Sequence, residues 1–97
     1  MKITWSTQAR RDLRAIRDFI AKDSEHYARL QIERLIDRVE RVAEMPSIGH
    51  PVHEFKDSGL REAHEGAYRL IYDPQPSELR IVTIVHMKQR MNLSRIK

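Results

Sequence analysis

His64, Arg69, His86, Lys88 and Arg90 are the side chains through which this chain could do chemistry, and they suit work on an anion. Cleaving RNA without a metal needs a base for the 2′-hydroxyl, an acid for the leaving oxygen and cations for the charge gathering on phosphorus. Histidine, arginine and lysine fill all three roles. The five residues converge if the last strand lies beside the hairpin that carries His64 and Arg69. The alternative is that His64 and Arg69 form an exposed cross-strand pair, because positive side chains on an open sheet face are ordinary. On the first reading His64, His86, Lys88 and Arg90 are the catalytic candidates.

The hairpin itself is written locally. Between Leu60 and Tyr72 two strand-like runs are separated by Gly66-Ala67, and glycine in the first central position is what a tight II′ turn requires. Counting outward from that turn, Glu65 faces Tyr68, His64 faces Arg69, and Arg61 faces Tyr72. A polar turn follows, then a second apolar run from Leu79 to His86.

Other chemistries find little support. The five histidines lie in no metal-binding spacing: His50 and His53 stand three apart in a loop, His64 and His86 fall on strands, and His26 is at a helix start. There is no glycine-rich phosphate loop leading into a helix and no Gly-x-Ser-x-Gly elbow. Ser58, Ser77 and Ser94 sit in turns or the tail with no activating base at a telling distance. No cofactor and no metal are expected.

Composition bounds the rest. With 97 residues the chain suits one domain, and without cysteine it fits a reducing cytoplasm. The start, Met-Lys-Ile-Thr-Trp-Ser, turns polar too early for a signal peptide, and no apolar run approaches the roughly 20 residues of a membrane span. Eighteen basic residues face fourteen acidic ones, and the excess lies at one end. Lys88, Arg90, Arg95 and Lys97 follow His86, where no acidic residue occurs. Such a tail either binds a phosphate backbone or acidic protein, or is a solvated end.

The positioning elements read as a strand, two helices and a sheet. Lys2 to Trp5 is a short edge strand, and Ser6 or Thr7 caps a helix in which Ala9, Leu13, Ile16 and Ile20 recur at helical spacing, with Phe19 widening the stripe. That helix ends near Lys22. Asp23 or Ser24 caps the next, whose stripe is Ala28, Ile32, Leu35, Val39 and Val42, flanked by Ile36 and Ala43. It stops before Met45-Pro46, since the residue preceding proline avoids the helical region. Asp18 with Lys22, Glu25 with Arg29, and Asp37 with Arg41 stand four apart; at about 0.2–0.5 kcal/mol each, such pairs only mark solvent faces. The short connection predicts an antiparallel helical hairpin at about 7–44, followed by a loop at 45–59 pinned by Ile48, Val52 and Phe55. A sheet at 60–86 and a basic tail at 87–97 complete a single domain. The fold class is α+β: an N-terminal strand and a helical hairpin on one face of a C-terminal antiparallel sheet.

In this order the motifs resemble the RelE/ParE superfamily of bacterial type II toxins over almost the full length. The resemblance rests on Trp5, Ala9-x-x-Asp12-Leu13-x-x-Ile16, Pro46-x-x-Gly49, Leu60-Arg61-Glu62, Tyr68-Arg69-Leu70-Ile71-Tyr72, and Ile81 through His86 with Arg90 beyond. The long helical hairpin and the ending Ile-Val-His followed by Arg-Met-Asn-Leu look nearer the ParE branch. Membership implies a growth-inhibiting toxin, of the kind that stabilises plasmids, held in a hetero-oligomer by a cognate acidic antitoxin. In the ParE branch the implied target is DNA gyrase, with no agreed catalytic set; Arg61, Arg69, Tyr72, Arg90 and Arg95 are then candidate contacts to target or antitoxin. In the RelE branch it is mRNA on the ribosome, cleaved by an endoribonuclease. His64 and Lys88 or Arg90 match that branch's basic positions, but no tyrosine follows Tyr72, leaving His86 as its substitute. A third reading is a non-toxic basic module that binds nucleic acid.

Overall fold

The computed structural model describes residues 1–89 and 91–96. Strand β1 (Lys2–Trp5) leads into helices α1 (Thr7–Ala21) and α2 (Glu25–Glu44). A segment of two 3-10 turns and the two-residue strand β2 (His50–Pro51) follows, then β3 (Arg61–Glu65), β4 (Tyr68–Pro74) and β5 (Glu78–His86). The five strands form one sheet in the order β1-β5-β4-β3-β2, antiparallel except for β1, which runs parallel to β5. The tight turn at Gly66, with φ of 58°, sets the expected register: Glu65 opposite Tyr68, His64 opposite Arg69, Arg61 opposite Tyr72.

The helices begin where the hydroxyl caps allow. Ser6 Oγ accepts from the Ala9 N–H at 2.9 Å, and Ser24 Oγ from the Tyr27 N–H at 3.1 Å. Ser6 also donates its hydroxyl to the Val82 carbonyl at 2.6 Å, so the first cap is fastened to β5. Ala9, Ile16, Leu35, Val39 and Val42 then pack on Ala63, Leu70, Tyr72, Leu79, Ile81 and Ile84. Burying each large side chain contributes about 1.5–3 kcal/mol. Phe19 does not join this stripe. It stands 67% exposed, at a cavity that Ile16, Tyr68, Ile84 and His86 also line. The three charge pairs expected on the helix faces stay beyond ion-pair distance among the described residues, as solvated pairs of so little worth can.

The opposite face of the sheet is covered too, by chain that is not helical. Val52, Ile71, Val82 and Met91 form a second apolar cluster, flanked by Phe55, Leu60 and Ile96. Val52 and Phe55 pin the long loop as expected, whereas Ile48 remains 51% exposed at its outer bend. The tail is not simply a solvated end, since Met91 is buried and Ile96 packs on the sheet.

One carboxylate ties these layers together. Strand β1 ends at Trp5, opposite Ile81, so the outer edge of β5 beyond that point has no strand beside it. Asp12, buried on α1, takes over: its carboxylate accepts the Ile84 N–H at 3.0 Å, the Thr83 hydroxyl, the Gln8 amide at 2.9 Å and the Arg95 guanidinium. Asp12→Ala would orphan a buried N–H, a hydroxyl and a guanidinium together. We expect it to lower the unfolding free energy by about 3 kcal/mol in urea titrations, with Asp12→Asn, which keeps an acceptor, losing less.

Candidate functional site

On the face away from the helices, β3, β4, the loop and the start of the tail enclose a cleft of about 620 Å³ lined by His53, Glu54, Glu62, His64, Arg69, Lys88 and Gln89 among others. Its floor is built around Arg69. The pleat turns Arg69 to the same side as His64 across the strand pair, and burial leaves its side chain 11% exposed. A guanidinium cannot shed its charge, so burial demands partners. Glu54, from the 3-10 turn His53–Phe55, accepts from Nη1 and Nη2 at 2.8 Å each. Glu62, from β3, accepts from Nε at 3.3 Å and from Nη2 at 2.5 Å.

The electrostatics follow from this fork. Hydrogen bonds from Arg69 hold the Glu54 carboxyl at about 2, against an ordinary 4.5. Burial pulls the Glu62 carboxyl upward, but the bonds from Arg69 and His64 outweigh it and leave it below its ordinary value. The bonds to Glu54 and Glu62 push Arg69 still further toward its charged form. Glu62 Oε1 also lies 2.8 Å from His64 Nε2; an ionised carboxylate accepts, so Nε2 carries a proton.

The residues proposed to converge do so only in part. His64, Arg69 and Lys88 line one cavity. His86 lies opposite Tyr68 in the register and points to the other face, where it lines a separate cavity with Ala15, Ile16 and Phe19 of α1. Its ring meets that of Tyr68 edge-on with centroids 5.5 Å apart, and burial pushes the Tyr68 phenol upward. β5 does lie beside the hairpin, but one step of the pleat sends His86 away from His64. Arg90 lies outside the described residues.

Three of the expected contact residues, Tyr72, Arg61 and Arg95, turn out to hold the frame. Tyr72 is fully buried; its hydroxyl donates to the Pro46 carbonyl at 2.7 Å and accepts from the Gly49 N–H at 3.0 Å. Arg61 donates to the carbonyls of Ser47 and Gly49. Gly49 has no room for a side chain, since a Cβ there would collide with the Tyr72 hydroxyl and the Glu62 carbonyl oxygen. Arg95 is held by Asp12. Tyr72 is thus unavailable to any target, and Arg69 meets carboxylates of its own chain before it meets a ligand.

A second surface lies beside the helices. Trp5, Leu13, Ile32 and Ile36 line a groove of about 910 Å³ rimmed by Arg10, Arg14 and Arg17. The three arginines stand at positions i, i+4 and i+7, on one side of α1. Of these three, only Arg17 has an ion-pair partner among the described residues, the exposed Asp18 at 3.0 Å.

A family model described as the ParE toxin of type II toxin-antitoxin systems, parDE, matches residues 3–91. The chain belongs to the ParE toxin family. Two solved structures share its fold. One, from the chromosomal ParDE toxin-antitoxin system of P. aeruginosa, has a TM-score of 0.73 at 19% identity and covers 89% of this chain and 95% of its own. The other, from the toxin-antitoxin complex RelBE2 of Mycobacterium tuberculosis, has a TM-score of 0.65 at 21% identity and covers 88% and 95%. No curated protein sequence matches this chain. Among the described residues, no helix of this ParE-family chain is long and apolar enough to cross a membrane.

Reading the sequence missed Glu54 and Glu62 as cleft residues and Asp12 as the clamp, and it overlooked the groove. The arginine row was there to be found in the spacing of Arg10, Arg14 and Arg17. Glu54 gave no signal, because its partner lies fifteen residues away across a loop. Its low folded pKa has a checkable consequence. Between about 4.5 and about 2 the unfolded chain binds the proton more readily than the folded one, so the stability Glu54 contributes is fully present above pH 4.5 and is lost as the pH falls toward 2. Urea midpoints measured across that range should decline for the parent chain and decline less for Glu54→Gln, with Glu62 carrying the remaining slope.

Proposed function

We propose that this ParE-family chain is the toxin of a type II pair, that it stops growth by acting on DNA gyrase in the cytoplasm without cleavage chemistry of its own, and that an acidic antitoxin silences it. The observation that carries the reading is the separation of His64 and His86 onto opposite faces of the sheet. The two histidines therefore cannot act as base and acid on one phosphodiester. The cleft supports the same view, because Arg69 and Lys88 are matched there by Glu54 and Glu62, leaving no surplus of positive charge for a phosphate backbone with the histidines neutral.

The antitoxin reading draws on the groove beside α1. Its apolar floor accepts the anchors of an amphipathic segment, and Arg10, Arg14 and Arg17 are placed to meet carboxylates repeating at helical spacing. Of the two solved structures named above, one is described as from a toxin-antitoxin system and the other as a toxin-antitoxin complex, which favours a partner of this kind.

Inducing the chain without its neighbouring gene product, while DNA, RNA and protein synthesis are followed in parallel, tests the target. DNA synthesis should fail first, cells should filament, and translation should continue at the outset. His64→Ala and His86→Ala should remain toxic. Codon-positioned mRNA cleavage that disappears in either variant would replace this reading with a ribosome-dependent nuclease, and unimpaired growth would leave a non-toxic module. For the partner, reversing Arg10, Arg14 and Arg17 to glutamate should weaken capture by the co-expressed antitoxin by about a hundredfold, each exposed charge contributing under 1 kcal/mol.

A further inference from the structure

We propose that the sheet cleft is a phosphate-binding site occupied from within by the Glu54 carboxylate, and that Glu54 is the residue that bars nucleic-acid phosphates from it. The seat is the outer pair of Arg69 nitrogens. Glu54 grips Nη1 and Nη2 at 2.8 Å each, the two-pronged geometry in which arginine also holds a phosphate.

The two carboxylates on Arg69 are not equivalent. Glu62 is set in β3, between β2 and β4, and is buried. Glu54 comes from a turn outside the sheet, and its side chain keeps 27% of its exposure. It can leave the guanidinium without breaking a strand ladder. The backbone of its turn would stay in place, since Val52 is fully buried, the Val52 N–H donates to the Leu60 carbonyl at 3.1 Å, and Phe55 packs on the second apolar cluster.

The surrounding donors outnumber what a planar carboxylate can use. His53, His64, Lys88 and Gln89 line the same cavity as Arg69, and a tetrahedral oxyanion offers acceptors in more directions than a carboxylate does. Charge points the same way. Arg69 and Lys88 are balanced by Glu54 and Glu62; with Glu54 removed, the cleft gains one net positive charge, Arg69 Nη1 loses its carboxylate and Nη2 keeps only Glu62. The cleft lies on the face of the sheet opposite the arginine groove, so occupying it does not require the proposed antitoxin seat. The inference goes beyond the gyrase reading, and a binding measurement on the purified chain stands or falls without it.

The test compares the parent chain with Glu54→Gln and Glu54→Ala, using a fluorescein-labelled single-stranded RNA, the corresponding DNA, and inorganic phosphate as probes. Both variants should bind the oligonucleotides about tenfold tighter than the parent, the worth of one charge-assisted contact regained, and with a steeper dependence on salt. The gain should vanish in Glu54→Gln/Lys88→Ala. Inorganic phosphate should move the His64 imidazole signals in the NMR spectrum of Glu54→Gln and leave the parent's in place. Shifts with phosphate together with tight oligonucleotide binding mark the phosphate group itself as the ligand; shifts with phosphate alone would uphold a site for small phosphates and overturn the role of Glu54 as the bar to nucleic acid. Parent-like affinity for every probe in folded Glu54→Gln and Glu54→Ala would overturn it. So would a gain that survives the loss of Lys88 and disappears when Arg10, Arg14 and Arg17 are changed to alanine, because the arginines of α1 would then be the seat.

Discussion

Strand β4 is buried on both faces, and side chains leave a strand alternately to either side, so each residue from Tyr68 to Tyr72 is committed to one layer of the molecule. Tyr68, Leu70 and Tyr72 go to the helices, and Arg69 and Ile71 go to the loop and tail. The helical hairpin supplies apolar partners for the first set. For Arg69 the second layer must supply charge, because a buried guanidinium left without carboxylates costs about 3–5 kcal/mol. The same alternation, carried across to β5, puts His86 beneath α1 and away from His64.

The cleft therefore owes its character to Arg69's desolvation. Two glutamates brought in from different elements satisfy the guanidinium, and in doing so they cancel the positive field that a hairpin carrying arginine and histidine suggests. Glu62 performs a further task, since the oxygen that meets Arg69 Nε also fixes a proton of His64 on Nε2. What looks in one dimension like a nuclease's basic cluster is in three dimensions a neutralised ion-pair network.

The frame around it is equally economical of polar groups. Gly49 lets the loop backbone touch the Tyr72 hydroxyl, Arg61 takes the neighbouring carbonyls, and Asp12 takes the unpaired edge of β5 while holding Arg95. These contacts give a physical reason for the Pro46-x-x-Gly49, Leu60-Arg61-Glu62 and Asp12-Leu13 elements on which the family resemblance rests. They also move the exposed positive charge. With Arg95 drawn inward, the three arginines along α1 make a continuous basic edge, and it borders an apolar groove rather than the cleft.

What the sequence determined by itself was whatever depends on neighbours within a few residues. The caps at Ser6 and Ser24, the two helical periods, the stop before Pro46 and the turn at Gly66 were all legible, and the turn alone set the pairing of His64 with Arg69. The family was legible too, because its motifs are the marks these local and framing constraints leave. Only the tertiary structure decided which candidates share a site. Whether Phe19 is core or surface, whether Arg95 is free, and whether Arg69 faces a ligand or Glu54 depend on groups brought together by chain folding, and no periodicity encodes them. The hairpin that presents His64 and Arg69 was thus readable as geometry, while its charge was not, because the carboxylate that changes it arrives from a loop outside the hairpin.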